Sequence, residues 1–224
     1  SNVLADASTL MVNGGTLSLT GSSDTVAGVQ LVSGSITGTT GVLTSASDYD
    51  MQAGTVSVIL GGTAGMTKTT AGTLTLSGAN TYSGGLAIKA GTVSGTTSAN
   101  AFGAGTITLG DSSGSANATL NGGFAGTFAN LITVAGGTSG NTLSITNSAA
   151  SIFSGAVTLN NNLTLAPTLT NLLTLSGGMT GTGNLIISGS GTTAAVTLST
   201  NAVNHTGTIT NSGTNTGATT ISGG

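Results

Sequence analysis

The chain has 224 residues, and only 3% of them are charged: five Asp, two Lys, no Glu and no Arg, for a formal net charge of −3. So thin a complement excludes a basic surface for nucleic acid and leaves acid–base catalysis few groups to use. The absence of Cys excludes disulfides and thiolate metal sites, and no run of 18 apolar residues reads as a transmembrane helix.

What remains is suited to strands. Glu and Arg, which normally clothe helix surfaces, are absent. Thr fills the polar positions instead, and its branched Cβ packs well on a pleated sheet. The 39 Gly, with Ser and Asn, supply turns. Disorder is the competing outcome for a Gly/Ser/Thr-rich chain. Against it, 37% of the residues are hydrophobic and mean hydropathy is +0.38, enough for a continuous core. Aromatics make up only 3%, so that core is narrow and aliphatic.

Taken in order, one unit recurs: Gly, then Thr or Ala, then apolar–hydroxyl–apolar. It appears at Gly15-Thr16-Leu17-Ser18-Leu19, Gly54-Thr55-Val56-Ser57-Val58 and Gly72-Thr73-Leu74-Thr75-Leu76. A short echo follows at Gly91-Thr92-Val93, then full copies at Gly105-Thr106-Ile107-Thr108-Leu109 and Gly155-Ala156-Val157-Thr158-Leu159, and a last echo at Gly207-Thr208-Ile209. Each alternates apolar and polar, the pattern of a half-buried strand. The best-spaced copies begin at Gly54, Gly72 and Gly91, 18 and 19 residues apart. A period near 20 points to a solenoid, with Leu74, Leu76, Ile88 and Val93 facing one core. At ~20 residues per rung the chain would make on the order of eleven rungs in a rod of about 50 Å. Periodicity alone leaves a sandwich or barrel of short strands open. The stretch from Asp111 to Phe128 is the least regular, an irregular rung or a protruding loop. Pro167, the only proline, fits a corner. No composition break divides residues 1–224, which read as one domain.

Residues 68–93 carry a longer pattern: Lys68-Thr69-Thr70-Ala71-Gly72-Thr73-Leu74-Thr75-Leu76-Ser77-Gly78-Ala79-Asn80-Thr81-Tyr82-Ser83-Gly84-Gly85, continuing to Val93. It resembles the autotransporter-associated β-strand repeat, also called the passenger-associated transport repeat. A weaker copy at 198–210 has His205 where that family has Tyr. The resemblance implies a right-handed parallel β-helix of roughly 18–25-residue rungs. It also implies export across the outer membrane of a Gram-negative bacterium and a structural role aiding passenger secretion and folding. The family's C-terminal barrel is not read in Thr219 to Gly224, nor is a protease or lipase domain. Ser1 to Ser8 lack the basic and apolar regions of a signal peptide, so an exported protein would carry its targeting segment outside this chain.

Four groups of residues are candidate sites. His205, the only histidine, lacks the G-x-S-x-G elbow of a serine hydrolase and reads as a turn residue. Asp48 and Asp50 flank Tyr49 and would share one side of a strand about 7 Å apart, the arrangement of a glycosidase pair or a weak calcium site. No Arg or cluster of further acids joins them, and they read as solvated acids at a corner. Asn160-Asn161-Asn162 reads as the start of an Asn ladder or turn. Tyr49, Tyr82 and the four Phe are too scattered for a sugar platform, and Tyr82 reads as a corner-packing ring. No catalytic, cofactor-binding or metal-binding residue is therefore assigned.

The expectation is a non-catalytic extracellular structural protein of the bacterial surface: an autotransporter-like stalk, adhesin scaffold or filament subunit. The alternatives are a carbohydrate-binding adhesin and, further off, a polysaccharide-active β-helix enzyme. Because few charges keep copies apart and Ser1 and Gly224 fall in repeat-like sequence, partners are expected to be other copies, end to end or laterally. Surface glycans are the other expected partner.

Overall fold

The computed structural model describes residues 3–137, 142–168, 170–190 and 192–223; Ser1 and Gly224 lie outside them. Every regular element among these residues is a β-strand, and every strand pairing is parallel. The strands stack as a solenoid of about nine turns. At ~4.8 Å per turn the rod is about 43 Å long. Eleven rungs were expected; the turns are instead longer, averaging roughly 22 residues. Spacings run from 17 residues, between Asp50 and Thr67, to 27, between Val93 and Leu120.

Each turn visits three faces. Face A holds the short strands Tyr49–Met51, Met66–Lys68, Leu86–Ile88, Ile107–Leu109, Ile132–Val134, Val157–Leu159 and Met179–Gly181. Face B holds Gly54–Val56, Thr73–Leu76, Gly91–Thr96, Ala118–Gly123, Leu143–Asn147, Leu163–Pro167, Leu185–Ile187 and Ile209–Asn211. The first two turns run through A and B as single strands, Thr9–Ser18 and Gly28–Thr37. Face C is built in two blocks. Asp24–Val26, Val42–Ser45 and Ile59–Gly61 form one; Thr127–Phe128, Ser151–Phe153, Leu172–Leu175, Ala195–Leu198 and Thr219–Ile221 form the other.

Parallel register aligns like with like. On face A the inward column reads Leu31, Met51, Lys68, Ile88, Leu109, Val134, Leu159, and on face B Leu74, Val93, Leu120, Ile145, Leu165, Ile187. All are buried, Leu74, Ile88 and Val93 among them, and so is Leu76, at the next inward position of face B. Outward positions carry Thr: Thr108, Thr133, Thr158 and Thr180 stand in one column on face A. The corners need Gly where the backbone turns into the left-handed region against the next turn. Gly91 has φ +73°, and a Cβ there would lie 2.4 Å from the Thr70 carbonyl oxygen.

The stretch from Asp111 to Phe128 is not a protrusion. After an exposed loop around Ser113 it enters the coil as two strands, and Phe128 is fully buried. There it sits between Phe102, centroid 4.7 Å away, and Phe153, 5.2 Å away, with Phe124 edge-on at 6.1 Å. The core makes room for these rings with glycine at the inward column of face B. A Cβ on Gly95 would come 2.5 Å from the Phe102 ring. Pro167 ends its strand, opposite Asn147, and its carbonyl accepts the Ser190 amide.

The two ends differ. Residues 3–8 do not form a turn of the coil. The Val3 and Leu4 amides donate to the carboxylate of Asp24 at 2.9 and 2.6 Å, and Leu4 packs on the core. At the other end the last strands leave Ile209 and Ile221 44% and 48% exposed.

Leu76 is fully buried in the middle of face B. Changing Leu76→Asp is expected to destabilise the rod by about 4 kcal/mol or more, through an unpaired buried charge. Urea titration followed by far-UV circular dichroism measures it. A change within 1 kcal/mol of zero would contradict the inward column.

Candidate functional site

Two places gather most of the candidate side chains. The first is face A near its beginning. Tyr49 points into the core, which turns Asp48 and Asp50 outward, as the alternation requires. Asp48 Oδ1 accepts the Gly65 amide at 2.8 Å. Asp50 Oδ2 accepts Gln30 Nε2 at 2.6 Å and Gln52 Nε2 at 3.2 Å. Two shallow grooves flank Asp48, one of about 410 Å³ that includes Thr67, Ser83 and Thr108, the other of about 240 Å³ that includes Gln30 and Asp50. A glycosidase pair would leave its carboxylate oxygens free to meet a sugar and a water; here one oxygen of each acid is already held within the fold. Among the described residues no group of three or more His, Cys, Asp or Glu comes together that could hold a metal ion.

The second place is the turn and a half from Met66 onward, where face C has no strand between Ile59–Gly61 and Thr127–Phe128. Side chains complete the ladder there. Asn80 is buried; its Oδ1 accepts the Leu60 amide one turn back at 2.8 Å, and its Nδ2 donates to the Ala101 carbonyl one turn ahead at 2.7 Å. Its amide thus bridges three consecutive turns. Tyr82 fills the corner beside it, fully buried, its ring centroid 6.0 Å from that of Tyr49. The Tyr49 hydroxyl lies 2.8 and 2.7 Å from the Leu43 and Gly61 carbonyls and accepts the Ser45 amide at 3.1 Å. Desolvation pushes the Tyr49 hydroxyl up to about 12 and that of Tyr82 further, the neighbouring Tyr49 adding to it.

Lys68 is the residue that motif reading missed. It occupies an inward position between Met51 and Ile88 and has no solvent exposure. Its stem lies in the core and its ammonium reaches the A–B corner. There it donates to the Thr70 carbonyl, the Ala90 carbonyl at 3.1 Å and Thr70 Oγ1 at 3.3 Å. Three donors meet three neutral oxygens. Burial without a carboxylate partner lowers its pKa to about 8. The signal was available in the sequence: Met66-Thr67-Lys68 alternates, so Lys68 shares the phase of inward-facing Met66.

Asp24 also takes an inward position, in register with Leu43. Burial opposes its ionisation, but the amides of Leu4, Val3 and Thr25 outweigh that and hold its pKa below the usual value. The remaining candidates lie in the C-terminal half of the coil. His205 is half-buried at the corner after Val203, with Nε2 3.5 Å from the Thr208 carbonyl oxygen. It follows a face-A bridge, Met179 with Val203, whereas Tyr82 follows a face-B strand, so the 198–210 copy is out of phase with 68–93 by a face. Of Asn160-Asn161-Asn162, read as the start of an Asn ladder or turn, Asn162 begins a short chain of bonds across turns. Asn162 Oδ1 accepts the Asn184 amide at 3.1 Å, and Asn184 Oδ1 accepts the Thr208 amide at 2.9 Å.

Residues 66–94 match the family model of the passenger-associated-transport-repeat. They include Lys68, Asn80 and Tyr82. No curated protein and no solved structure matches the chain.

The three buried titrating groups give stability a bell-shaped alkaline profile. Between about pH 8 and 10.5 the folded chain has released the Lys68 proton that the unfolded chain keeps, so stability rises with pH. Above pH 10 the unfolded chain loses tyrosine protons that folded Tyr49 and Tyr82 retain, so stability falls. Urea midpoints from pH 7 to 11.5 are expected to climb to about pH 10 and then drop. Lys68→Met should abolish the climb and keep the drop.

Proposed function

We propose that this chain, which carries a passenger-associated transport repeat, is a non-catalytic structural rod of a Gram-negative surface protein. It serves as an autotransporter-like stalk or scaffold and not as an enzyme. The repeat family suggests a secreted or cell-surface protein of such bacteria. The observation that carries the reading is where the scarce functional groups go. Asn80, Tyr82, Lys68 and Asp24 each close a gap in the coil, and Asp48 and Asp50 are engaged by neighbouring turns. Groups used to hold backbone are not free to move protons on a substrate.

Outer-surface composition favours association between copies. Hydroxyl and methyl groups dominate, and charge offers little mutual repulsion. Both end-to-end and lateral contact between copies are compatible with this surface. Glycan recognition is the second reading. Its support is the pair of grooves around Asp48. Its cost is that five of the six aromatic rings are buried and Phe124 is half-buried, so little aromatic surface is offered to a sugar.

Two measurements test this. Purified chain incubated with a panel of polysaccharides and esters is expected to give no turnover; turnover lost in Asp48→Asn or His205→Ala would overturn the non-catalytic reading. Fused to an outer-membrane translocator, the chain is expected to reach the cell surface folded and protease-resistant, and Asn80→Ala is expected to lower that resistance several-fold. Retention of the chain in the periplasm would overturn the surface reading.

A further inference from the structure

Face B carries an ordered two-dimensional array of hydroxyls. In the five strands from Thr73–Leu76 to Leu163–Pro167, one column of outward phase reads Thr73, Thr92, Thr119, Ser144, Thr164. Two residues along, a second reads Thr75, Ser94, Asn121, Thr146, ending at Ala166. Ser94 and Ser144 are covered by their larger neighbours, so the threonines and Asn121 form the surface of the array. No register shift interrupts these ladders. The columns therefore repeat every ~4.8 Å from turn to turn and stand about 7 Å apart along the strands. Cross-turn hydrogen bonds fix several of the side chains: Thr119 with Ser144 at 2.9 Å, Asn121 to Ser94 at 2.8 Å and Asn121 to Ser148 at 3.2 Å. None of the ten positions is ionisable.

We propose that this face binds ice. A rigid array with two fixed, nearly perpendicular repeats is matched by a ligand that is itself a lattice, and hexagonal ice repeats on its prism plane at closely similar distances in both directions. Threonine presents a hydroxyl to lattice water and a methyl to the space between; a charged side chain would keep a hydration shell that does not fit ice, and there is none. Other periodic or flat occupants fit less well. Crystalline polysaccharide is gripped by surface aromatics, and here the rings are taken into the interior. A second copy would find roughly 300 Å² in the array, against about 800 Å² per partner in a standard interface. This inference is independent of cell-surface location and of the non-catalytic reading, since it is tested on the isolated chain.

The experiment uses fluorescently labelled full chain, a slowly grown ice ball and nanolitre osmometry. Wild type is expected to concentrate in the ice and to produce a thermal hysteresis gap. Thr92→Lys and Thr119→Lys, both at outward positions, should reduce each signal at least tenfold with an unchanged circular dichroism melt. Thr133→Lys, outward on face A, should keep both. Three results would overturn the proposal: wild type excluded from ice like an inert protein of equal size; equal loss in Thr133→Lys; or sedimentation with crystalline chitin, or as oligomers that Thr119→Lys separates, without entry into ice.

Discussion

The parallel rung-to-rung ladder is the constraint on which everything else depends. Once each turn must pair in register with the next at a fixed separation, every inward position becomes a column, and a column admits only side chains that tolerate their own kind above and below. Aliphatic residues do so readily; Leu109, Val134 and Leu159 stack one on the next. Anything else needs a local solution. Rings at Phe102, Phe128 and Phe153 require a glycine opposite, at Gly95, and an amine at Lys68 requires carbonyls at the corner. Outside, the same rule arrays hydroxyls.

This explains which parts of the fold were legible. Alternation after each Gly located the strands and their inward faces, because a two-residue period is written directly in residue type. Turn length was harder to read. The echoes at Gly54, Gly72 and Gly91 are the tightest part of the chain, whereas the turn that leads into Ala118 carries a corner loop whose Gly, Ser and Asn have no fixed spacing. Extrapolating from the tight part gave too many rungs. The stretch around Phe124 and Phe128 looked irregular because its partners, Phe102 and Phe153, lie a full turn away in opposite directions.

Among the functional candidates, Asp48 and Asp50 were correctly turned outward by the alternation around Tyr49, but their Gln30 and Gln52 partners were not foreseen. Gln30 is twenty residues distant and meets Asp50 only through the register. Lys68 was overlooked for a different reason: residue type argued for the surface while phase argued for the core, and phase prevailed. The role of Asn80 could not be drawn from local pattern at all. It depends on a missing strand, which only the three-dimensional coil reveals.

The aromatic stack has a mechanical consequence. In a coil whose turns touch only their neighbours, load applied along the polypeptide strips turns away singly, each resisted by one interface. Phe102, Phe128 and Phe153 lie on three successive turns and contact in sequence, with Phe124 braced edge-on against the middle ring. Just before them Asn80 fastens three turns at once. From Leu60 to Phe153 each turn is thus tied to the next by a side-chain bridge or a ring contact as well as by its backbone ladder. Peeling a turn out of this stretch means breaking that tie together with the ladder.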